Sequence, residues 1–261
     1  MKKVLIFLLL PATLLCTSCK DKNPPTKDGG LLQGVFSVSK TKKVQFSQGN
    51  LQYQASTQIW RFAENQYDMI GADNANISSS YSGWIDLFGW GTGNNPTLSS
   101  SDHNDYSSFF TDWGVNKISN GGNNANMWRT LTRSEWSYIF IRRANAKNLF
   151  GLATVAGVHG LVVFPDKNYG NPSPNTWQCQ STDWTTNQYS VNDWLEMEKA
   201  GAVFLPAAGC RYGTEMYDID SGGFYWSSDM EEFTFIGGAG LAGAEQFPVF
   251  GNSVRLVKDV D

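Results

Sequence analysis

The sequence predicts an α+β domain built from short strands, two helices and long irregular loops. Three observations support this class. Short runs alternate apolar and polar residues as half-buried strands do. Two amphipathic stretches each begin at a capping residue, and the segments between the elements are rich in Asn, Ser and Gly. Two of these segments, 72–80 and 92–108, are long for a compact domain, and such loops are usually either functional or mobile.

Two kinds of pattern predict the strands. "GVFSV" (34–38) and "KVQFS" (43–47) alternate apolar and polar residues, which indicates strands with one buried face. "GLVVFP" (160–165) and "GAVFLP" (201–206) are continuous apolar runs that end at proline. Runs of this kind are typical of strands buried on both faces.

The first helix is predicted to begin after Thr132. Glu135 stands three residues later, so the two form a capping box in which each side chain binds a backbone N–H at the other position. Trp136, Ile139 and Phe140 follow with the spacing i, i+3, i+4. We expect these three side chains to form the face that packs on the core.

The second helix is predicted from Ser190 to Gly201, with Val191, Trp194 and Leu195 on one face. Its acidic residues raise a catalytic alternative, because a pair of carboxylates can hydrolyse glycosides. The candidates are Asp193, Glu196 and Glu198. Their helical spacing favours the other interpretation, in which they form a solvated face of the helix.

Residues 1–18 have the pattern of a lipoprotein signal peptide. Lys2 and Lys3 precede an apolar run over 4–15, which is too short to span a bilayer. A small residue, Ser18, directly precedes Cys19, whose sulfur we expect to carry the lipid; plain cleavage with a free thiol is the alternative. We expect residues 19–33 to form a flexible tether and residues 34–261 to form one domain.

Composition favours an extracytoplasmic protein and argues against a nucleic-acid partner. Charged residues make up 17% and aromatic residues 14% of the chain. Removal of the signal leaves 18 basic and 24 acidic residues, a net charge of −6, with no basic patch. "KDK" after Cys19 resembles the surface-export signal of Bacteroides-type lipoproteins. We therefore expect a lipid-anchored outer-membrane protein exposed at the cell surface.

Four motifs carry a wider resemblance: "TLTRSEW" (130–136), "AVFLPAAGCRYG" (202–213), "GGFYWSS" (222–228) and "GNSVRLVKD" (251–259). Together they resemble the formylglycine-generating-enzyme family, the Fibrobacter major paralogous domain and C-type-lectin-like domains of Bacteroides-type surface lipoproteins. The resemblance implies a C-type-lectin-like fold over 34–261, with a twisted, mainly antiparallel sheet, two helices and abundant loops.

The resemblance does not imply that this chain has the oxidase activity of the formylglycine-generating enzyme. That enzyme holds copper with a pair of cysteines near its C-terminal end, and soft thiolates are what select Cu(I). Here residues 212–261 contain no cysteine, and Leu256 follows Arg255 where the family has one. We therefore predict a non-enzymatic domain without this cofactor.

Calcium and other metals have weak support in the sequence. Sugar-binding lectins of this fold use Glu-Pro-Asn or Gln-Pro-Asp with Trp-Asn-Asp, whereas this chain has only "VND" (191–193). Structural calcium stays open and we predict no cofactor. His103 lies near Asp102 and Asp105, which suggests either a metal group or, as we prefer, an ordinary exposed loop.

The sequence also suggests roles for the two cysteines and for three single residues. Cys179 and Cys210 either form a disulfide in an oxidising compartment or are two separate buried thiols. His159 is expected to pack beside a strand, Trp226 to lie in the core, and Arg255 to brace the fold by binding loop carbonyls.

A ligand face is implied for 228–247. In C-type-lectin-like proteins diversified by retroelements, the residues after a "YWSS"-like segment contact the ligand. The candidate contact residues here are Tyr212, Asp229, Met230, Glu231, Glu232 and Phe233. The alternative is that Phe233, Phe235 and Leu241 alternate into the core.

These observations predict a non-enzymatic surface lipoprotein that binds an extracellular protein or glycan. A carbohydrate-active or other enzyme on the same scaffold, and a structural component of a surface appendage, are the alternative functions.

Overall fold

The computed structural model describes residues 28–106, 109–167, 177–245 and 247–260. The predicted signal peptide, the predicted lipidation site Cys19 and residues 19–27 of the predicted tether lie outside the described residues. The first strand begins at Leu31 and buries Leu32. The folded domain therefore starts a few residues before the predicted boundary at Gly34.

Strands dominate the described residues. In chain order they are β1 (Leu31–Ser37), β2 (Lys43–Ser47), β3 (Leu51–Gln54), β4 (Ile59–Phe62), β5 (Trp84–Ile85), β6 (Leu87–Phe88), β7 (Phe150–Val155), β8 (Val158–Val163), β9 (Gln188–Tyr189), β10 (Val203–Pro206), β11 (Cys210–Tyr212), β12 (Glu215–Tyr217), β13 (Gly222–Trp226), β14 (Glu231–Ile236), β15 (Gly240–Glu245), β16 (Phe250–Ser253) and β17 (Val257–Val260).

The helices are short. The α-helices are α1 (Arg133–Ser137) and α2 (Val191–Lys199), and a π-helical turn over Tyr138–Arg142 follows α1 directly. Single 3₁₀ turns occupy Asp28–Gly30, Gly71–Asn76, His103–Asp105, Trp113–Val115 and Ala146–Asn148. The predicted α+β class is confirmed: strands predominate and the helices are few and short.

The strands form four sheets. Their orders are β1-β2-β17, β4-β3-β5, β10-β8-β7-β9 and β12-β11-β16-β13-β14-β15, with β6 also paired to β16. The pairs β13–β16 and β7–β9 are parallel, and the other pairs between named strands are antiparallel. The four strands predicted from apolar patterns are confirmed as parts of β1, β2, β8 and β10.

The core consists of three apolar clusters. One lies under β1, β2, α1 and β14 and includes Phe46, Trp136 and Phe235. A second is rich in tryptophan and includes Trp226, as predicted. The third packs α2 on β7, β8 and β10. The aromatic residues of the sequence are thus mostly used to build the interior.

Helix α2 begins as predicted but buries a different face. Ser190 and Asp193 form a capping box, and the helix ends before Gly201, which has a φ of +91°. Val191 is 45% exposed, so its predicted place on the buried face is wrong. Trp194, Met197 and Glu198 are the buried residues of α2.

Glu198 does not belong to a solvated face. Its Oε1 accepts a hydrogen bond of 2.9 Å from Nε2 of Gln66, inside the core. The prediction of exposure is wrong because a buried partner from a distant segment offsets the cost of burying this side chain.

The described helices include none that combines the length and the apolarity needed to cross a membrane.

Candidate functional site

A cavity of about 430 Å³ lies between α1 and the β14–β15 hairpin. Its walls come from 133–141 (α1 and the π turn), from 147–150 with Gln180, and from 232–243 (the hairpin). This volume falls in the range of ligand-binding pockets. The "TLTRSEW" motif and the predicted ligand segment 228–247 therefore meet at one cavity.

The floor of the cavity is a group of nearly parallel aromatic rings. The centroids of Phe140 and Phe233 are 4.4 Å apart with planes 5° from parallel, and Trp136 lies 5.0 Å from Phe233 at 14°. Phe150 stands edge-on to Phe140 at 5.3 Å and 89°. Such offset and edge-to-face pairs are favourable arrangements of aromatic rings. They give the cavity a rigid apolar floor.

The π turn shapes one side of the opening. It buries Ile139 and Phe140 but directs Ile141 outward, where its side chain is 72% exposed. An isolated exposed isoleucine has no functional meaning, but Ile141 borders an apolar cavity. Single π-helical turns inside helices occur often at functional sites.

Gly243 leaves the cavity open. An added Cβ at this position would meet nothing closer than the carbonyl oxygen of Glu232, at 3.5 Å. Every other described glycine either has a φ in the left-handed region or would bring a Cβ to within 3.0 Å of another atom. At those other positions either the backbone conformation or the packing requires glycine. At position 243 neither does, and the missing side chain leaves empty space opposite Phe233.

Charged and polar groups surround the opening. Lys147 is exposed, and within the described residues no ion pair involves it. Arg133 forms an ion pair with Glu231. The side chain of Glu232 is buried, and its Oε2 accepts a hydrogen bond of 3.1 Å from Nδ2 of Asn252. The cavity thus combines an apolar floor with one exposed cation, Lys147, at its mouth.

The "TLTRSEW" motif positions α1. The predicted capping box is confirmed: Thr132 Oγ1 accepts from the Glu135 backbone at 3.2 Å, and the Thr132 N–H donates to Glu135 Oε2 at 2.9 Å. Arg129 binds Glu135 at 2.7 Å and Asp259 at 2.7 Å. The motif therefore holds the helix start against the last strand, β17.

Two of the predicted contact residues bind α1. Asp229 Oδ1 accepts from the backbone N–H of Arg133 at 2.8 Å, and Glu231 pairs with the Arg133 guanidinium. The sequence predicts that these acids face a ligand, whereas in the structure both have partners within the domain. The reason is that the turn before β14 passes over the N-terminus of α1, where negative charge is favourable.

The other candidates divide between the cavity and places away from it. Phe233 is 7% exposed and Glu232 is 5% exposed, so their predicted open exposure is wrong, yet both line the cavity. The alternative, in which Phe233, Phe235 and Leu241 pack inward, is confirmed. Met230 packs against the tryptophan-rich cluster, and Tyr212 donates to the Ser101 carbonyl at 3.1 Å without lining the cavity.

The two cysteines are free thiols. Cys179 is exposed and Cys210 is buried, so neither the predicted bridge nor two buried thiols describes the pair. Burial, with smaller contributions from Asp218 and Glu232, raises the pKa of the Cys210 thiol to about 12. Cys179 lies on a loop beside Asn148, in a different part of the fold from β11.

The histidines have structural contacts. The sequence predicts that His159 packs beside a strand, and the residue lies within β8 itself. Its Nδ1 is 2.8 Å from the Asp220 carbonyl oxygen, and its ring stacks on Trp184. His103 is in an exposed 3₁₀ turn, and within the described residues no group of three His, Cys, Asp or Glu side chains could hold a metal ion.

Arg255 braces the core through different partners from those predicted. Its guanidinium donates to Gln66 Oε1 at 2.6 Å and to Asn50 Oδ1 at 3.3 Å, which are side-chain amides and not loop carbonyls. Burial lowers the pKa of Arg255 to about 10. The residue is enclosed because β16 and β17 bring it to the centre of the domain.

Sequence reasoning missed six residues of the cavity, which are neither predicted individually nor part of the four motifs: Ser137, Ile141, Lys147, Phe150, Gln180 and Gly243. They are spread over residues 137–243, so no single spacing connects them, although Gly243 lies within the predicted ligand segment 228–247. A sequence pattern was available only for Gly243. A glycine inside a strand often marks a place where another group approaches the backbone.

Comparison with protein families, characterised proteins and solved structures finds no match to this chain.

Proposed function

We propose that this protein is a non-enzymatic, lipid-anchored surface protein that binds an extracellular protein in the cavity between α1 and the β14–β15 hairpin. The observation that carries the proposal is the empty space that Gly243 leaves over a floor of parallel aromatic rings. Filling this space with a side chain would bury apolar surface at no evident cost to the backbone. A ligand group that enters it gains the same burial.

The geometry favours a protein ligand over a glycan. The rings of Trp136, Phe140 and Phe233 are only 3–7% exposed, so they offer no open platform for the flat face of a sugar. A narrow apolar group, such as a leucine or phenylalanine side chain, fits the space between α1 and the hairpin better. Ile141 beside the opening would add apolar contact around such an anchor, as residues around a buried hot spot do.

The lectin-like fold is part of the proposal. All four motifs that carry the resemblance supply buried residues, among them Leu131, Phe204, Trp226 and Val254. The mixture of mainly antiparallel strands, two short helices and long loops agrees with what the resemblance implies.

The proposed absence of catalysis depends on residue roles. The sequence lacks the cysteine pair of the related oxidase. The carboxylates considered for glycoside hydrolysis have structural partners: Asp193 caps α2, Glu196 pairs with Lys199 at 2.9 Å, and Glu198 binds Gln66. These contacts favour binding over hydrolysis.

The test is capture from arrays of extracellular proteins and glycans by the full-length protein. We expect protein ligands among the hits, and we expect their affinity to fall stepwise in Gly243→Ala, Gly243→Val and Gly243→Leu. Thr41→Leu, which places a leucine at an exposed position away from the cavity, is the control and should bind as the wild type does. Equal capture by Gly243→Leu would contradict the proposed site, and turnover of a captured glycan would contradict the non-enzymatic function.

A further inference from the structure

We infer that the protein ligand is an extended peptide segment that adds as a strand to the free edge of β15 and inserts one large apolar side chain into the cavity. The inference rests on the proposed function, because it uses the same cavity. It goes further by naming the conformation of the partner, the hydrogen bonds that hold it and the charge it carries.

The edge of β15 is available for pairing. The strand pairs with β14 through six consecutive residue pairs, from Glu231↔Glu245 to Ile236↔Gly240, without a bulge. Within the described residues β15 has no strand on its other side. Alternate residues of an edge strand direct both backbone N–H and C=O away from the sheet. A second chain can therefore continue the ladder.

The edge also lacks the usual protection against pairing. Natural sheets blunt their edges with charged residues, proline or bulges. Residues 240–244 read "GLAGA", with no charge and no proline, and Glu245 is the first charged residue of the strand. An unprotected edge of this kind is what domains that bind peptides by strand addition present.

The cavity continues as a groove beside this edge. A second cavity of about 260 Å³ lies next to the first, and both are lined by Phe150, Gln180 and Leu241. Side chains on one face of a strand recur about every 7 Å. An added strand can therefore place one apolar side chain on the aromatic floor and a neighbouring one in the second cavity.

The mouth of the cavity selects the charge of the partner. Lys147 is exposed at the opening, whereas the positive charge of Arg133 is already balanced by its ion pair with Glu231. The carboxylate of Glu232 is buried and bonded to Asn252. An acidic residue of the peptide, close to its apolar anchor, would therefore be attracted to Lys147.

The test uses a set of capped nonapeptides in which threonine and valine alternate around a central phenylalanine, tryptophan or leucine, with one glutamate beside it. Binding to the full-length protein is measured by calorimetry. Peptides with methylated backbone nitrogens at alternate positions keep every side chain but lose the donors that strand pairing needs. Two methylated peptides are made, one with methyl groups on the odd-numbered and one on the even-numbered backbone nitrogens. We expect one of the two to bind at least tenfold more weakly than the unmethylated peptide. Replacement of the central residue by alanine should weaken binding at least tenfold as well.

Further readouts locate the peptide. Amide hydrogen exchange over 240–245 should slow on binding, and replacing the peptide glutamate by lysine should weaken binding several-fold in the wild type but not in Lys147→Met. Thr41→Leu is again the control.

Four results would overturn the inference. Equal binding of both methylated peptides, or no binding of any nonapeptide, would rule out strand addition; if array ligands are still lost in Gly243→Leu, the proposed function survives. Dimerisation of the protein with protection of 240–245 would assign the edge to a second copy of this chain. Binding that ignores both the central residue and Gly243→Leu would overturn the proposed function as well.

Discussion

Asp86 is a fully buried carboxylate whose two oxygens both accept hydrogen bonds. Oδ2 accepts from the Ile70 N–H at 2.9 Å and Oδ1 from Asn74 Nδ2 at 2.8 Å. Burial raises the pKa of Asp86 to about 6, although these hydrogen bonds act to lower it. The charged form is thus tolerated in the core but disfavoured relative to water.

This shift predicts a pH dependence of stability. Between about pH 4 and 6 the folded state keeps a proton on Asp86 that the unfolded chain releases, so the contribution of this residue to stability falls as pH rises through that window. We expect the free energy of unfolding of the wild type, relative to Asp86→Asn, to fall by about 2–3 kcal/mol between pH 4 and 7. Denaturant titrations across this range measure it.

The control for that experiment is Asp102→Asn. The pKa of the exposed Asp102 is lowered by hydrogen bonds from Asn104, so its titration lies below the window and its curve should run parallel to that of the wild type. Parallel curves for Asp86→Asn would show that this carboxylate is already charged at pH 4.

The capping box at α1 gives a second prediction for single residues. Thr132→Ala removes an acceptor for a backbone N–H at the helix start and should cost about 0.5–2 kcal/mol. Glu135→Ala should cost more, because Arg129 also loses a partner at 2.7 Å. Thr132→Ser keeps the oxygen and should stay near the wild type. Denaturant unfolding measures these costs; lost ligand capture with unchanged stability would assign the motif to binding.

Among the elements, α1 and the turn before β14 behave as one unit. Asp229 and Glu231 both contact Arg133, so the helix start and the hairpin are tied together at the mouth of the cavity. The sequence predicts that the two acids face a ligand, whereas these contacts give both of them a structural role.

Asp229→Ala should therefore destabilise the domain by about 1 kcal/mol, since the helix start loses both an acceptor and a favourable negative charge. Thermal melting at low salt measures the change. Asp73→Ala, which removes an exposed acid from the 3₁₀ turn over Gly71–Asn76, is the matched control. Equal melting temperatures for the two variants would refute a structural role for Asp229.

Local signals in the sequence predicted the elements well because the forces that set them are local. The capping boxes at Thr132 and Ser190 lie within four residues of each helix start, and β2 matches its apolar alternation. The cavity could not be predicted in this way. Alternation shows that Phe233 and Phe235 share a face, but not that α1 covers it. Glu198 is buried because of Gln66, which lies 132 positions away.

At the scale of the whole molecule, the proposed lipid anchor on Cys19 would hold the proposed binding site at the membrane surface. Cys19→Ala should move the protein out of the membrane fraction, because stable anchoring needs more than one acyl chain and all of them depend on this residue. Cys16→Ala, three residues earlier, should remain membrane-bound. Detergent partitioning of cell fractions measures both, and retention of Cys19→Ala with release of Cys16→Ala would place the lipid on the other cysteine.

The pairing of β1 and β17 on either side of β2 has a consequence for folding during synthesis. The sheet cannot be completed, and the buried Val254, Arg255 and Val257 cannot take their places, until the chain has been made as far as Val260. A nascent chain that is shorter than this lacks the strand that pairs with the second edge of β2. For the export that we propose, we therefore expect the chain to cross the membrane unfolded and to fold after translocation.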